Sequence, residues 1–574
     1  MDKRSIVGFL LILLILFLWP QWSNIFNPQQ PNSGQDEQNQ PIAESENHID
    51  KTQTEDIHNY SEENTSNQKD IKAENKVSLN TIDLEPEKLI KVETENFIAV
   101  LSSHGGLLKS MQLKKYLTEN GADGHSLVQL VSPPEISPWG ANGALTLGVE
   151  DSLYSVNNIA YDVIGYNTTL LKGDEPQTVS FIYNDDNGSS IRKDFTFNPE
   201  GYSFKLRLTI TNADAFGFDD ELTLGWLNPT LTTEKDYKED LSKNAGFYCM
   251  GGEVVESSDL KDGKLYHRPS GTSKWVAVRS KYFVNAIIAD SQEGSQVLVV
   301  GTKDEILDAA GKPHEWKKFG VGLTFDIKDN SFSNDITVYT GPLDYYRLKD
   351  LGYNLSQLVE MGWKAFRPFA IGILWIFVQL HKILFNYGLV IIIFSIIMKI
   401  IFWPLTRKSS TSMMKMKELQ PKIQEVKEKF KNDPKKLNAE TMKVYKEFGV
   451  NPFGSCLPML VQLPIFWAMF SVLRNSIEIR GAGFVFYLND LSQKDPHYIL
   501  PIIMGIAMFL QQKMTITDPK QKMLVYIMPV VFVFLFAGWP SGLVLYWTMF
   551  SVIGIFEQLI VKKRLDEEKR LATK

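Results

Sequence analysis

Lys399 stands in the apolar run Ile396-Ile397-Met398-Lys399-Ile400-Ile401-Phe402. A lysine at the centre of a membrane helix costs about 2.5–3.5 kcal/mol on insertion scales, so its presence asks for a reason. Ser395 lies four residues earlier, on the same helical face. Gln462 interrupts a second apolar stretch, and Gln511 and Gln512 close a third. Several polar groups within membrane segments turn towards a wet cavity or a partner helix rather than lipid. The chemistry on offer is attraction of acidic groups and hydration of a polar segment, not the making of bonds. Two bland accounts stand beside it. Lys399 is six residues before Leu405, roughly 9 Å along a helix, which is within snorkelling reach of an interface. Each glutamine alone also suits a helix–helix contact.

Bond-making chemistry finds little support elsewhere. His104, His125, His267 and His314 lack metal-ligand spacing, and His314-Glu315 has no second histidine to complete a zinc-protease helix. His104-Gly105-Gly106 reads as a turn, because no Gly-x-Ser-x-Gly elbow accompanies it. No phosphate-binding Gly-x-x-x-x-Gly-Lys-Ser/Thr loop occurs, which argues against an ATP-driven motor. Neither a cofactor nor a metal is expected. Two cysteines, Cys249 and Cys456, supply no disulfide framework. A net charge of −7 argues against specific nucleic-acid recognition.

The elements that carry these residues are long apolar segments. The first runs from Ile6 to Trp19 behind a basic start. It lacks a small-x-small cleavage site and reads as an uncleaved anchor within residues 1–26. Five more spans are expected at Gly388–Leu405, Phe453–Leu473, Tyr498–Leu510, Met523–Ala537 and Gly542–Val561. The domain limits are then 387–405 for the second span and 452–561 for the last four. Residues 406–451 between them carry 12 Lys/Arg against 6 Asp/Glu. The excess places this loop, Met1 and the basic tail 562–574 in the cytoplasm. Apolar residues at helical spacing on either side of Asn432-Asp433-Pro434 predict a hairpin of two amphipathic helices. Its lysines, including Lys417, Lys422 and Lys427, suit anionic lipid headgroups, the ribosome or a targeting receptor. Residues 366–386 are apolar but broken by Arg367, Pro368, Gln379, His381 and Lys382. A crossing there would turn the basic loop outward, so an amphipathic helix on the outer interface is expected. It belongs to a connecting region 346–386.

Residues 27–91 are rich in Asn, Gln, Glu, Ser and Asp, and cannot bury enough apolar surface to offset ordering entropy. A flexible acidic tether is expected. Residues 92–345 alternate instead: Phe204, Leu206, Leu208 and Ile210 interleave with Lys205, Arg207 and Thr209. Short strands and turns at this density predict a large antiparallel sandwich. The fold class is thus a polytopic α-helical membrane protein with six transmembrane helices and a large extracytoplasmic all-β domain.

Five stretches carry a family resemblance. They are Trp403-Pro404-Leu405-Thr406, Lys417-Glu418-Leu419-Gln420-Pro421-Lys422-Ile423, Val450-Asn451-Pro452, Gln462-Leu463-Pro464-Ile465-Phe466 and Pro540-Ser541-Gly542-Leu543-Val544-Leu545-Tyr546. In register over Gly341–Leu565, they resemble the YidC–Oxa–Alb family of membrane protein insertases. The resemblance implies a non-enzymatic chaperone of the bacterial inner membrane whose outer domain is a β-supersandwich. It implies a hydrophilic groove, open to cytoplasm and lipid, that accepts nascent membrane proteins alone or with the Sec translocon and its accessory subunits. Lys399 would be the groove charge. Ser395, Gln462, Gln511, Gln512, Tyr546 and Trp547 would line the groove, and Pro464, Phe466, Met469, Met528 and Phe532 would form a slide into lipid. The family's usual groove charge is arginine. Lysine keeps the charge and loses the bidentate fork. The outer domain is expected to be separable from insertion.

Overall fold

The computed structural model describes residues 86–119, 126–149, 152–153, 155–165, 168–170, 175–449, 457–515 and 522–572. The anchor Ile6–Trp19 and nearly all of the tether lie outside these residues.

Alternation builds the β domain as the sequence requires. In the strand Ser203–Thr211, Phe204, Leu206, Leu208 and Ile210 are buried, while Lys205 and Arg207 face out. The strand pairs antiparallel with Ser190–Phe197 and Ser331–Pro342. That register sets Arg207 opposite Asp335, and the guanidinium donates to it at 2.7 and 3.1 Å. The described strands form a sheet of 15 and a second of five. The five-stranded sheet starts at Leu89–Glu93, so the first strand begins inside the stretch read as tether. His104-Gly105-Gly106 is a turn: Gly105 and Gly106 have φ of 75° and 55°, and the fully buried Lys193 ammonium donates to both carbonyls.

After the short helix Tyr345–Leu351, the described residues form α1 (Arg367–Leu384), α2 (Tyr387–Glu418), α3 (Gln420–Lys429), α4 (Pro434–Glu447), α5 (Leu457–Asn475), α6 (Ile499–Thr515), α7 (Lys522–Phe536) and α8 (Ser541–Ala572). By length and composition, α1 and the segments Tyr387–Ser412 and Ser541–Arg564 could each cross a membrane. Ile499–Met514 and Val525–Phe536 are shorter apolar helices. Helix α1 buries Ala370, Ile373, Leu374 and Phe377 and packs on α2 and α5. Its placement on the outer interface therefore rests on loop charge alone. The hairpin's first arm is shorter than expected, because α2 runs unbroken to Glu418 and takes up the residues before it. Leu419 and Ile423 then pack with Met416, Val444 and Tyr445 at the hairpin's base. Helix α8 likewise continues well past Val561. Within the bundle α8 contacts α2, α5 and α6, and α7 packs on α6.

The β domain is clasped to the outer end of the bundle by pairs that no local pattern reveals. Glu239 accepts from Lys281 at 2.9 Å and from Arg474, at the end of α5, at 2.8 Å. Arg480, in the loop between α5 and α6, donates to Glu234 and to the Leu117 carbonyl, both at 2.7 Å. The Tyr282 hydroxyl donates to the Arg474 carbonyl. Ser471 and Asn475 both donate to the Glu360 carbonyl.

Opposed titrations cross this junction. Burial pushes the Glu239 carboxyl up, but Lys281 and Arg474 outweigh it and hold it at about 2. That stability is present above the ordinary value of 4.5 and is lost as pH falls towards 2. Glu478 goes the other way: burial, then Asp344, pushes it up to about 7. Burial, Asp490 and Glu234 do the same to Glu119. These two bind protons more tightly folded than unfolded, so stability declines as pH rises from 4.5 to about 7. The melting midpoint of the detergent-solubilised chain should therefore peak near pH 4.5, between the two effects. Glu478→Gln should raise the midpoint above pH 7 and flatten the decline. A midpoint that climbs steadily to pH 8 would contradict this.

Candidate functional site in the helical bundle

The charge centre is built from two long helices. Lys399 on α2 and Glu557 on α8 form an ion pair, Nζ to Oε2 3.2 Å, and are 5% and 4% exposed. Helix α8 prepares one face for it: Phe550, Gly554 and Glu557 recur at i, i+4 and i+7. The Phe550 ring lies under the lysine, with Nζ 4.0 Å from its centroid, a cation–π contact. Gly554 leaves the space that a third helix uses. A Cβ there would sit 2.3 Å from Gln511 Nε2 and 3.2 Å from Lys399 Nζ, so the α6 amide and the α2 ammonium both rest on this glycine.

The expected site residues separate into groups. Lys399 and Gln511 both lie against Gly554, as described. Ser395 is buried one turn from Lys399, but its hydroxyl donates to the Ile391 carbonyl of its own helix at 2.7 Å. Gln512 follows Gln511, with a buried Oε1 that has no hydrogen-bond partner among the described residues. Gln462 Nε2 donates to the Tyr546 hydroxyl at 3.4 Å, which ties α5 to α8. Tyr546 is fully buried, between Phe394 and Phe550 at centroid distances of 6.2 and 5.9 Å.

Slide residues from two helices converge on the groove-lining Trp547 of a third. Phe466 of α5 meets Trp547 of α8 at 5.3 Å, and Phe532 of α7 meets Trp547 at 6.1 Å. Phe536 and Trp539 join them. Pro464 and Met528 are half-buried, whereas Met469 is fully buried. The hairpin lysines stand apart from this centre. Lys422 is exposed, with its ammonium 4.3 Å from the Phe448 ring centroid, and Lys427 is half-buried. The side chain of Lys417 lies outside the described residues.

Glu557 was not anticipated from the sequence. The signal was present, since an acid within the apolar run Gly542–Val561 is as costly as the lysine. What the sequence could not supply was the pairing across 158 residues.

Both halves of the chain match known families. The YidC periplasmic domain matches residues 89–376, and the 60Kd inner membrane protein family matches residues 379–569. The membrane protein insertase YidC of Chlorobaculum parvum is 33% identical, over 100% of this chain and 96% of its own. The chain belongs to the YidC family. The Geotalea daltonii member, also named membrane protein insertase YidC, is 35% identical over 83% of this chain and 87% of its own. A crystal structure of an active YidC insertase covers 83% of this chain and 94% of its own, at 21% identity and a TM-score of 0.36. A galactose mutarotase-like protein from Lactobacillus casei covers 44% of this chain and 99% of its own, at 11% identity and a TM-score of 0.26. The chain thus has the family's two parts in order, a periplasmic β-sandwich domain followed by a helical membrane part.

Proposed function

We propose that the protein inserts nascent membrane proteins into the bilayer without covalent catalysis, and assists their folding. Both termini and the basic hairpin are in the cytoplasm, with the β domain in the periplasm and six spans between. The observation that carries this reading is family membership along the whole chain, joined to a charged and amide-bearing centre inside the bundle. A client's hydrophobic segment enters from the cytoplasm, and its short polar flank is held near Lys399, Gln511 and Gln462. The apolar part leaves along the aromatic face of Phe466, Phe532 and Trp547. Burial of about 20 apolar residues in lipid supplies the driving free energy, at roughly 25 cal/mol per Å². The protein lowers the barrier for the flank. Because the ion pair is buried, the bundle must open for a client to reach Lys399. The Sec translocon, the ribosome and a targeting receptor are partners under this reading.

Liposomes holding only the purified chain should insert a short single-span client without ATP. Failure with several unrelated clients would overturn the reading. A paired intramembrane charge also suits a solute transporter. Client-independent solute flux in the same liposomes would favour that alternative.

Photocrosslinkers at Trp547 and Gln462, both half-buried, should capture a stalled client span. One at Phe17 in the anchor should not. Capture from the fully buried Met469 would report the opening of the bundle. Equal yields at all four positions would mean nonspecific proximity in the bilayer.

A further inference from the structure

Attraction of clients by Lys399 gives Glu557 no part, yet Glu557 already holds that charge. Its Oε2 lies 3.2 Å from Lys399 Nζ, and its Oε1 is buried with no hydrogen-bond partner among the described residues. A half-satisfied buried carboxylate is a poor way to stabilise a bundle. Well-packed apolar residues in place of a buried ion pair are often neutral or better. The surroundings of the lysine fit a different role. If Glu557 withdraws, the ammonium still has the Phe550 ring at 4.0 Å, and Gly554 leaves room beside it. What remains is one open position, of the size and charge of a carboxylate.

We propose that Glu557 is an internal counter-ion that occupies the place of a client's carboxylate and thereby sets client specificity. This rests on the insertion reading above. An acidic flank exchanges with Glu557 at Lys399, so the lysine is never left bare within the bundle. The exchange is a competition: the apparent affinity of Lys399 for a flank is lowered by the fraction of time that Glu557 holds it. The same competition ejects the flank afterwards, because Glu557 remains tethered beside the site.

The test uses the full chain in liposomes and two single-span clients that differ only by Asp or Asn in the translocated flank. The ratio of their insertion rates cancels any loss of folded protein, so a merely structural role would not move it. Glu557→Gln should raise the Asp:Asn ratio about five- to tenfold. The double variant Lys399→Met with Glu557→Met keeps a packed bundle without either charge, and its ratio should fall below that of the unaltered protein. An unchanged ratio in Glu557→Gln would overturn the proposal. If that variant fails to fold, a wild-type ratio in the double variant would overturn it instead. If the unaltered protein inserts neither client, the insertion reading fails, which is a separate outcome.

Discussion

Lys399→Glu is expected to abolish insertion of acidic-flank clients and to lower the folded yield. The substitution places a second carboxylate against Glu557 in a site where both positions are about 95% buried. At an effective dielectric of 20, two unit charges 4 Å apart interact by about 4 kcal/mol, so an attraction becomes a repulsion of similar size. Removing one partner of a buried pair alone costs about 3–5 kcal/mol. Lys399→Arg keeps the charge and should insert at close to the normal rate. The charge swap, Lys399→Glu with Glu557→Lys, should restore folded yield. Insertion rates and detergent-extracted yields of the three variants decide the matter. A Lys399→Glu protein that folds and inserts acidic flanks normally would overturn the electrostatic role of Lys399.

The second large effect is expected at the junction. Arg480→Ala leaves Glu234 buried at 1% exposure without its cation. A cost of about 3–5 kcal/mol should follow, enough to loosen the β domain from the bundle. The melting midpoint should drop, and limited proteolysis should release the β domain where the intact chain resists. Arg480→Leu with Glu234→Leu removes both charges and should recover much of the loss. Unchanged proteolysis in Arg480→Ala would mean that the Glu239–Arg474 bond and the Glu360 contacts hold the junction alone.

Local pattern made much of the architecture legible. Alternation exposed the strand at Ser203–Thr211, and apolar run length located α2, α5, α6, α7 and α8 to within a few residues except where helices continue into polar sequence. The polar end Lys562–Ala572 lacks a membrane-length apolar run, and the residues after Lys408 read as the hairpin's first arm, so both helices outrun the expected spans. The expected site is legible in residue type more than in geometry. Lys399 and Gln511 both approach a glycine on a third helix. Ser395 shares their level but spends its hydroxyl on its own helix. The pairing of Glu557 and the junction pairs were invisible for one physical reason: the partners lie 158, 235 and 246 residues apart, and no periodicity links such positions.

Helix α8 has a further consequence. It runs 32 residues without an interior proline, about 48 Å of continuous rod, against roughly 30 Å of hydrocarbon. At its outer end Ser541 is fastened to the loop that carries Arg480, through the Asp490 and Gln493 carbonyls. Part-way down it holds Trp547, and further on Glu557. A rod this stiff does not absorb a displacement; it hands it on. The loop that carries Arg480 and the counter-charge of Lys399 are therefore attached to one and the same helix. One continuous helix thus reaches from the junction with the outer domain to the charged centre.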